Sequence, residues 1–487
     1  MSVRARKKPV SASLAQSRSA GAVRRRQRSE GVRIPEHERR VLENGASVSI
    51  MPRGDVPLVA FCAVLRGGAL GDPADKPGVA ALTAGLLDKG AGSHDGFAFA
   101  EAVERSGGSF TAVASAEHIT VSGQFLARHQ ERMLELLAAA LIAPRLDAAR
   151  LDGVRTRHIE LIKAAKDSDP QELLSAYGRA LLFGAHPYGR PVGGSEDSLS
   201  AITRSDIAHY ARQQLGADRL ALAFTGAVNT GWLRAAAADA LEKWRAAAAV
   251  PLALSMPPAA KRRLLLVDAP GATQSHFWVG ARGVHRRYPR RAALDLVNTI
   301  FGGRFTSHLN TELRIRSGLS YGAASSFTRG SVPAEFAIRS LVGADQTARA
   351  LDLTLGTLAR LKRAALSRAQ LESARGYLLG QHPLSFETSA DWAHALAELT
   401  AWDLTPGYIE GYASELCAVT LDDAHCAIAE AFPDPDATVI VVIGDAARIR
   451  SSLSAFGPMT EIPLAQPGFH CAAPAPVTAT RQRVRGR

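Results

Sequence analysis

With 487 residues, 46% of them apolar, the chain exceeds what one hydrophobic core usually supports, and two domains are expected. The formal net charge of +12 belongs to the ends, because residues 1–40 hold 12 Lys and Arg against 3 Asp and Glu, and residues 481–487 hold 4 Arg. The body between them is close to neutral, which argues against a specific nucleic-acid-binding role. No apolar run reaches the roughly 20 residues of a membrane span, so we expect a soluble protein.

The chain begins and ends in segments without periodic apolar residues. Residues 1–33 form a basic stretch rich in Arg, Ser and Ala, and both this stretch and residues 471–487 are predicted to be disordered tails. No apolar stretch follows the first positive charges, so a secretory signal is not predicted. The acid-poor start also resembles an organellar transit peptide. The cytoplasm is the expected compartment, with the periplasm and organelles left open.

One helix-then-strand unit occurs twice in the chain. In the first half, Thr203 starts a helical pattern that leads to an apolar strand ending at Gly226, 23 residues later. Thr420 leads in the same way to Gly444, 24 residues later. The recurrence predicts that this unit closes each of two homologous halves.

Other elements fit the same division. Strands are predicted at 46–51 and 263–267, near the start of each half, and amphipathic helices at 130–143 and 348–365 are expected to cover the sheets. Three prolines within 248–260 predict a linker there. The predicted fold class is therefore α+β, with two homologous domains at 34–247 and 261–470, each a mixed, mostly antiparallel sheet covered by helices.

Three motifs in the first half recur in one known family. Residues 78–90 read GVAALTAGLLDKG, residues 104–112 read ERSGGSFTA and are followed by SAEHIT at 115–120, and residues 186–191 read HPYGRP. In this order they resemble landmarks of the insulinase, or pitrilysin and mitochondrial-processing, metallopeptidase family, over roughly residues 35 to 250. The family helix reads G-x-x-H-x-x-E-H-x-x-F-K-G-T. Our chain keeps the flanking Gly and the Lys-Gly pair but departs at Asp88 and Ala91.

The resemblance implies a zinc site whose residues this chain has lost. In the family two His bind the ion and the Glu between them is the general base, but these positions hold Ala81, Ala84 and Gly85. Methyl groups and bare backbone offer no lone pair to zinc. The family's last ligand is a Glu about 75 residues further on. Glu160 is the candidate for it, with a solvated surface Glu as the alternative.

The second half contains the segment whose residues indicate a function that the chain retains. Residues 301–321 read FGGRFTSHLNTELRIRSGLSY and resemble the family sequence G-G-x-x-x-S-x-L-x-x-x-L-R-x-x-x-G-L-x-Y. In the family this Arg and Tyr reach across to the zinc site in the opposite half and hold the peptide backbone. By position the pair is Arg314 and Tyr321. The alternative is an Arg that closes a helix and a Tyr packed in a strand.

Loss of the zinc residues with retention of the Arg/Tyr pair predicts a non-catalytic subunit of a divided peptidase. On this interpretation the chain forms one half of a clamshell, binds peptide substrate and completes the chamber of a catalytic H-x-x-E-H partner in a heterodimer. No cofactor is expected on this chain, and zinc is expected on the partner. The alternative is a purely structural or assembly subunit, as in the peptidase-like core proteins of respiratory complexes.

Two remaining sets of residues are expected to have no catalytic role. The cysteines at 62, 417, 426 and 471 form no C-x-x-C pair; two of them follow a His, but buried free thiols in a reducing compartment are preferred over a metal site. The arginine-rich segment 282–291 is expected to form a solvated loop before a helix.

Overall fold

The computed structural model of the chain describes residues 31–54, 56–248, 254–257, 259 and 261–469. The tails predicted at 1–33 and 471–487 lie outside these residues except for 31–33, and Cys471 also lies outside them. Val32 and Ile34 lie in the described part, where both pack against a small apolar cluster that contains Trp392. The chain therefore contacts the second half of the molecule before it enters its first strand.

The first half contains eight strands and eight α-helices in the described residues. The strands are β1 (Glu38–Val41), β2 (Ser47–Pro52), β3 (Leu58–Arg66), β4 (Gly90–Ala91), β5 (His94–Asp95), β6 (Ser109–Ala114), β7 (His118–Leu126) and β8 (Leu220–Gly226). The helices are α1 (Val79–Leu86), α2 (Gly96–Arg105), α3 (Gln130–Ile142), α4 (Ala148–Ser168), α5 (Leu174–Phe183), α6 (Glu196–Ala201), α7 (Arg204–Gln214) and α8 (Thr230–Glu242).

The second half repeats this arrangement with additional helices. Its strands are β9 (Arg263–Asp268), β10 (Gln274–Arg282), β11 (Ser320–Arg329), β12 (Pro333–Gly343), β13 (Val439–Gly444) and β14 (Met459–Pro463). Its helices are α9 (Arg291–Phe301), α10 (His308–Asn310), α11 (Thr347–Arg363), α12 (Arg368–Leu384), α13 (Ser389–Ala401), α14 (Gly407–Glu410), α15 (Tyr412–Ala418), α16 (Leu421–Ala431) and α17 (Ala446–Leu453). A π-helical segment, Thr311–Arg316, follows α10.

The two main sheets share the topology of five of their six strands and differ in the sixth, since β1 is antiparallel to β2 whereas β14 is parallel to β9. In space their strands follow the orders β1-β2-β8-β3-β7-β6 and β11-β12-β10-β13-β9-β14. Five strands of each sheet follow one order, β2-β8-β3-β7-β6 in the first half and β9-β13-β10-β12-β11 in the second. In both sets the strand that comes first in sequence pairs with the one that comes last. That pair is parallel in both sheets, as β2 with β8 and β9 with β13, and the other pairs of the shared set are antiparallel. The predicted α+β class, with mixed and mostly antiparallel sheets covered by helices, is confirmed.

The repeated helix-then-strand unit begins with the same local chemistry in both halves. Thr203 caps α7 by accepting from the backbone N–H of Asp206, whose carboxylate in turn accepts from the N–H of Thr203. Thr420 and Asp423 form the same reciprocal capping box at the start of α16. Each box satisfies two N–H groups that a helix start leaves without partners, so it fixes where the helix begins.

One helix of each half packs on the sheet of the other half. Helix α5 packs on β10 and β13, where Tyr177 and Trp278 are both fully buried, while α13 packs on β3 and β8. The approach of α5 requires glycine at 178, because a Cβ there would lie 2.7 Å from the Trp278 ring. This exchange buries apolar side chains from both halves and joins them into one packed unit.

The exposure of the cysteines differs from the expectation. Cys62 is buried, but Cys417 and Cys426 are exposed, which corrects the expectation of buried thiols. Position 426 faces solvent because the buried face of α16 consists of Ala424, Ala427, Ile428 and Ala431. Among the described residues, no helix is both long and apolar enough to cross a membrane.

Candidate functional site

Helix α1 starts at a tightly constrained glycine. Gly78 has φ of 104°, and a Cβ at this position would come within 2.9 Å of the backbone of Gly194. The carboxylate of Asp72 accepts hydrogen bonds from the N–H groups of Gly78 and Ala80, both at 2.7 Å. Burial raises the pKa of Asp72 to about 7, against the lowering effect of these two hydrogen bonds and of Arg190. The glycine-containing loop after the HPYGRP motif thus supports the start of α1.

The three positions expected to have lost zinc chemistry lie together on α1. Ala81 is 9% exposed and Ala84 is 1% exposed. A Cβ at Gly85 would lie 2.9 Å from Cγ1 of Val154 on α4, closer than real Cβ atoms come to a neighbour. These residues do not fit a zinc ion, because they supply no donor and α4 packs into the space that a side chain at position 85 would need.

Glu160 does not face this position. It is exposed, at the second residue after His158 on α4, and its carboxylate pairs with Lys163 at 3.0 Å. After Val154, the side chain nearest to Gly85 is that of His158, whose Nε2 would lie 3.8 Å from a Cβ at position 85. Burial and the neighbouring Arg157 lower the pKa of His158. Within the described residues, no group of three or more His, Cys, Asp and Glu side chains is arranged to hold a metal.

His158 was not among the residues expected at this position. The sequence holds only a short signal for it: Leu151, Val154 and His158 follow one another at helical spacing, but two apolar residues are too few to fix the register of α4. Extending that stripe by one turn gives position 158, and position 160 falls on the other side of the helix.

The two other family motifs of the first half meet at Glu117. Tyr188 of the HPYGRP motif donates its hydroxyl proton to Oε1 of Glu117 at 2.5 Å. The N–H of Ser331, from the second half, donates to the same oxygen at 2.8 Å, and the Ser331 hydroxyl donates to Oε2. Burial, and then the charge of Glu117, raise the pKa of Tyr188. Glu117 is thus a contact between the halves, a role that sequence analysis did not assign.

Arg314 and Tyr321 lie on a well-anchored segment of the second half, with both side chains exposed. The amide of Asn310 accepts from the N–H of Ala323 at 2.9 Å, which ties the segment before Arg314 to β11. Arg314, in the π-helical segment, stacks over the ring of Phe305 with 4.7 Å between guanidinium carbon and ring centre. Tyr321 is 83% exposed on β11, an edge strand of its sheet.

The structure brings Arg314 together with Phe305 rather than with Tyr321. In the described part of the chain, no hydrogen bond joins Arg314 to Tyr321, and none joins either residue to α1. Phe305 and Ile315 are each 57% exposed. We call the four exposed residues Phe305, Arg314, Ile315 and Tyr321 the Arg314 surface; they present cationic, phenolic and apolar groups to solvent.

The arginine-rich segment 282–291 is a loop that leads into α9, as expected, and Arg282, Arg287 and Arg290 are exposed there. Two other arginines are not solvated: Arg286 stacks on Trp402 of the same half with 4.5 Å from the guanidinium carbon to the ring centre. Arg291 is 7% exposed and donates two hydrogen bonds of 2.7 Å to the carboxylate of Glu415. The charges of this segment are therefore partly structural.

Comparisons with known proteins give one family. Residues 58–196 match the model described as insulinase (peptidase family M16), and residues 201–378 match that described as the peptidase M16 inactive domain. An uncharacterised zinc protease of Mycobacterium tuberculosis is 27% identical over 326 residues, covering 66% of this chain and 74% of the relative. A protein of Helicobacter pylori named a non-peptidase homolog is 22% identical over 342 residues, covering 70% and 77%.

Two further similarities extend this result. Subunit 1 of the mouse mitochondrial cytochrome b-c1 complex is 23% identical over 198 residues, or 40% of each chain. The crystal structure of a peptidase M16 inactive domain from Pseudomonas fluorescens superposes with a TM-score of 0.78 at 23% identity, covering 84% of this chain and 98% of that one. With the two family models in order along the chain and the shared fold, the chain belongs to the M16, or insulinase, peptidase family and carries an inactive-type M16 domain.

Proposed function

We propose that this chain is the non-catalytic subunit of an M16 metallopeptidase complex, in which it binds peptide substrate and completes the chamber of a catalytic H-x-x-E-H partner. The observation that carries the proposal is a contrast between two places in the fold. At the zinc-helix positions the donor side chains are absent and Val154 occupies the space, whereas the Arg314 surface keeps its reactive groups exposed.

The first part of the contrast removes the hydrolytic step from this chain. Activation of water by zinc requires ligands with lone pairs and a general base, and Ala81, Ala84 and Gly85 supply neither. His158 alone cannot replace them, because a catalytic zinc site uses three protein ligands. Any peptide cleavage in which this chain takes part then depends on residues of another chain.

The second part gives this chain a role toward a peptide. A guanidinium is a fixed set of donors for a peptide carbonyl, and a phenol adds one donor toward a developing oxyanion. Arg314 is held at its base by the anchored segment and at its tip by Phe305, so it loses little conformational freedom on binding. Tyr321 is almost fully exposed, which suits a group that acts on a neighbouring subunit's substrate.

The second candidate function is a structural or assembly subunit without a role in proteolysis. The partial similarity to a subunit of the cytochrome b-c1 complex favours it. On that hypothesis the exposed Phe305 and Ile315 are contact residues for a partner and Arg314 has no effect on turnover.

The deciding experiment measures peptide cleavage by the complex of this chain with its catalytic partner. Arg314→Ala is expected to leave assembly intact and to lower turnover by about 10²- to 10³-fold, the usual effect of losing one donor to an oxyanion. Arg314→Lys should recover only part, because an ammonium lacks the planar fork of a guanidinium. Tyr321→Phe removes only the hydroxyl, so a lower rate there reports on chemistry rather than packing.

Matched controls come from other residues of the second half. Arg316→Ala removes an exposed guanidinium from the same π-helical segment, where it pairs with Glu312 at 2.6 Å, and Tyr377→Phe removes a hydroxyl from a half-exposed Tyr on α12. Both should leave turnover unchanged. If all variants assemble and cleave like the unmodified complex, the substrate-binding role is wrong and the structural role is favoured.

A further inference from the structure

A cavity of about 420 Å³ lies between the two halves, and its wall contains no residue of α1 or of the Arg314 surface. Both halves contribute arginines to its wall: Arg66 and Arg219 from the first half, Arg286 and Arg287 from the second. A neighbouring cavity of about 430 Å³ shares Arg286 and several other wall residues with it. Each volume falls within the range of about 300–1,000 Å³ that is usual for small-molecule sites.

Two of the three carboxylates in the wall are engaged by the protein itself. Both oxygens of Glu117 accept hydrogen bonds, from Tyr188 and from Ser331. Asp218 accepts from the backbone N–H of Ala247 at 2.6 Å. The remaining carboxylate, Asp403, is 64% exposed and lies 3.7 Å from Arg66, which is longer than a hydrogen bond.

Two donor groups in the wall have no acceptor. Nε of Arg286 and the indole N–H of Trp402 are both buried, and neither makes a hydrogen bond to any described residue. The carboxylate closest to the Arg286 guanidinium, that of Glu398, is 3.9 Å away. Guanidinium and indole groups can donate but not accept, so a ligand that reaches them must offer acceptor atoms.

The charges that act on His118, a buried residue of the cavity wall, are positive. Burial lowers the pKa of His118 to about 4, and the charges of Arg286 and Arg66 act in the same direction. The imidazole of His118 packs edge-on against Trp402, with ring centres 4.6 Å apart. The pKa of His118 therefore responds to charges that lie beside the two unpartnered donors. A bound anion would reverse this effect.

We propose that this cavity binds a small oxyanion, a phosphate or a polycarboxylate, between the two halves of the chain. The anion would accept from Arg286 and Trp402 of the second half and from Arg66 of the first. Because a ligand that contacts both halves binds the joined arrangement and not the unfolded chain, occupancy stabilises the whole molecule. The proposal is independent of the peptidase-subunit function, since it uses none of the residues of α1 or of the Arg314 surface.

Isothermal titration calorimetry and thermal unfolding of the full chain test the site, with pyrophosphate and citrate as the two probes and chloride at equal ionic strength as the control. At least one probe should bind with a stoichiometry near one and raise the melting temperature in a saturable way. Binding of pyrophosphate alone identifies a phosphate site, and binding of citrate alone identifies a carboxylate site. If neither binds more than chloride does, the proposal is wrong.

Variants locate the site. Arg286→Gln and Arg66→Gln should each weaken binding by about 10-fold or more, since each removes a hydrogen bond between charged groups. Asp403→Asn should strengthen binding because it removes the competing carboxylate; Asn also tolerates the φ of 50° at this residue. Arg349→Gln, an equal charge change at an exposed position of α11, should have no effect. Equal losses in Arg349→Gln and Arg286→Gln would mean nonspecific screening and would contradict the site.

Discussion

Replacing Gly85 with alanine measures how completely α4 fills the former ligand position of this M16 chain. The added Cβ would lie 2.9 Å from Cγ1 of Val154, a buried side chain that is 9% exposed and belongs to the core of the first half. Because Val154 is part of this core, the added methyl group can be accommodated only if the Val154 side chain or α4 shifts. The substitution therefore tests packing at the position where the family binds its metal.

The magnitude follows from a comparison of two glycines. Gly153 lies on α4 one residue from Val154 and is exposed, and a methyl group added to it would have no neighbouring atom within 4 Å. Alanine in a helix is favoured over glycine by about 1 kcal/mol, and this gain applies at both positions. At Gly85 it is opposed by overpacking, which typically costs about 1–3 kcal/mol. The two variants should thus differ in free energy of unfolding by about 1–3 kcal/mol, with Gly153→Ala the more stable.

Thermal and urea unfolding followed by circular dichroism provide the assay. For a cooperative unit of about 150–250 residues, each kcal/mol shifts the melting temperature by about 2–4 °C. Val154→Ala in the Gly85→Ala background should recover part of the loss, so the double variant is more stable than the two single effects added together. If Gly85→Ala stabilises the chain as much as Gly153→Ala does, α4 does not fill the ligand position and the reasoning fails.

Three further outcomes are expected. Glu117→Gln should lower the free energy of unfolding by about 1–3 kcal/mol in urea titrations. The substitution replaces hydrogen bonds to a charged carboxylate, among them the one from Tyr188, with weaker bonds to a neutral amide. The pKa of His118 is about 4 in the folded chain and near 6.5 in the unfolded chain, so on acidification the unfolded chain takes up a proton here at a higher pH than the folded chain does. The free energy of unfolding should therefore fall by about 3 kcal/mol as the pH drops from 6.5 to 4. His118→Gln should flatten that part of the pH profile. Gly178→Ala should destabilise by about 1–3 kcal/mol in the same measurement, because its methyl group would press on the Trp278 ring, and an unchanged melting temperature would show that α5 is free to shift.

The duplicated fold could be predicted because its signals are local. The capping boxes at Thr203 and Thr420, each followed at nearly the same distance by a buried strand, lie within about 25 residues of sequence. The loss of zinc ligands could also be read directly, since it concerns only which side chains stand at positions 81, 84 and 85. The bounds proposed for the two domains and the linker stay a prediction.

The facing residue of α4 and the cavity between the halves could not be predicted. The register of α4 against α1 is set by packing between helices some 70 residues apart, and the buried stripe of α4 contains only Leu151 and Val154, too few to fix that register from periodicity. The cavity combines segments near Arg66 and Arg286, which are far apart in sequence and belong to the two halves that α5 and α13 join. A cluster of arginines in sequence gives no indication of a partner surface that distant.

The most direct test of the central claim compares three samples in one peptidase assay: this chain alone, its H-x-x-E-H partner alone, and the two mixed, each with its zinc content measured. The account predicts no zinc and no cleavage for this chain alone, one zinc per complex in the mixture, and cleavage by the mixture far above that of the partner alone. Stoichiometric zinc with cleavage by this chain alone, or a partner that is equally active without it, would contradict the account.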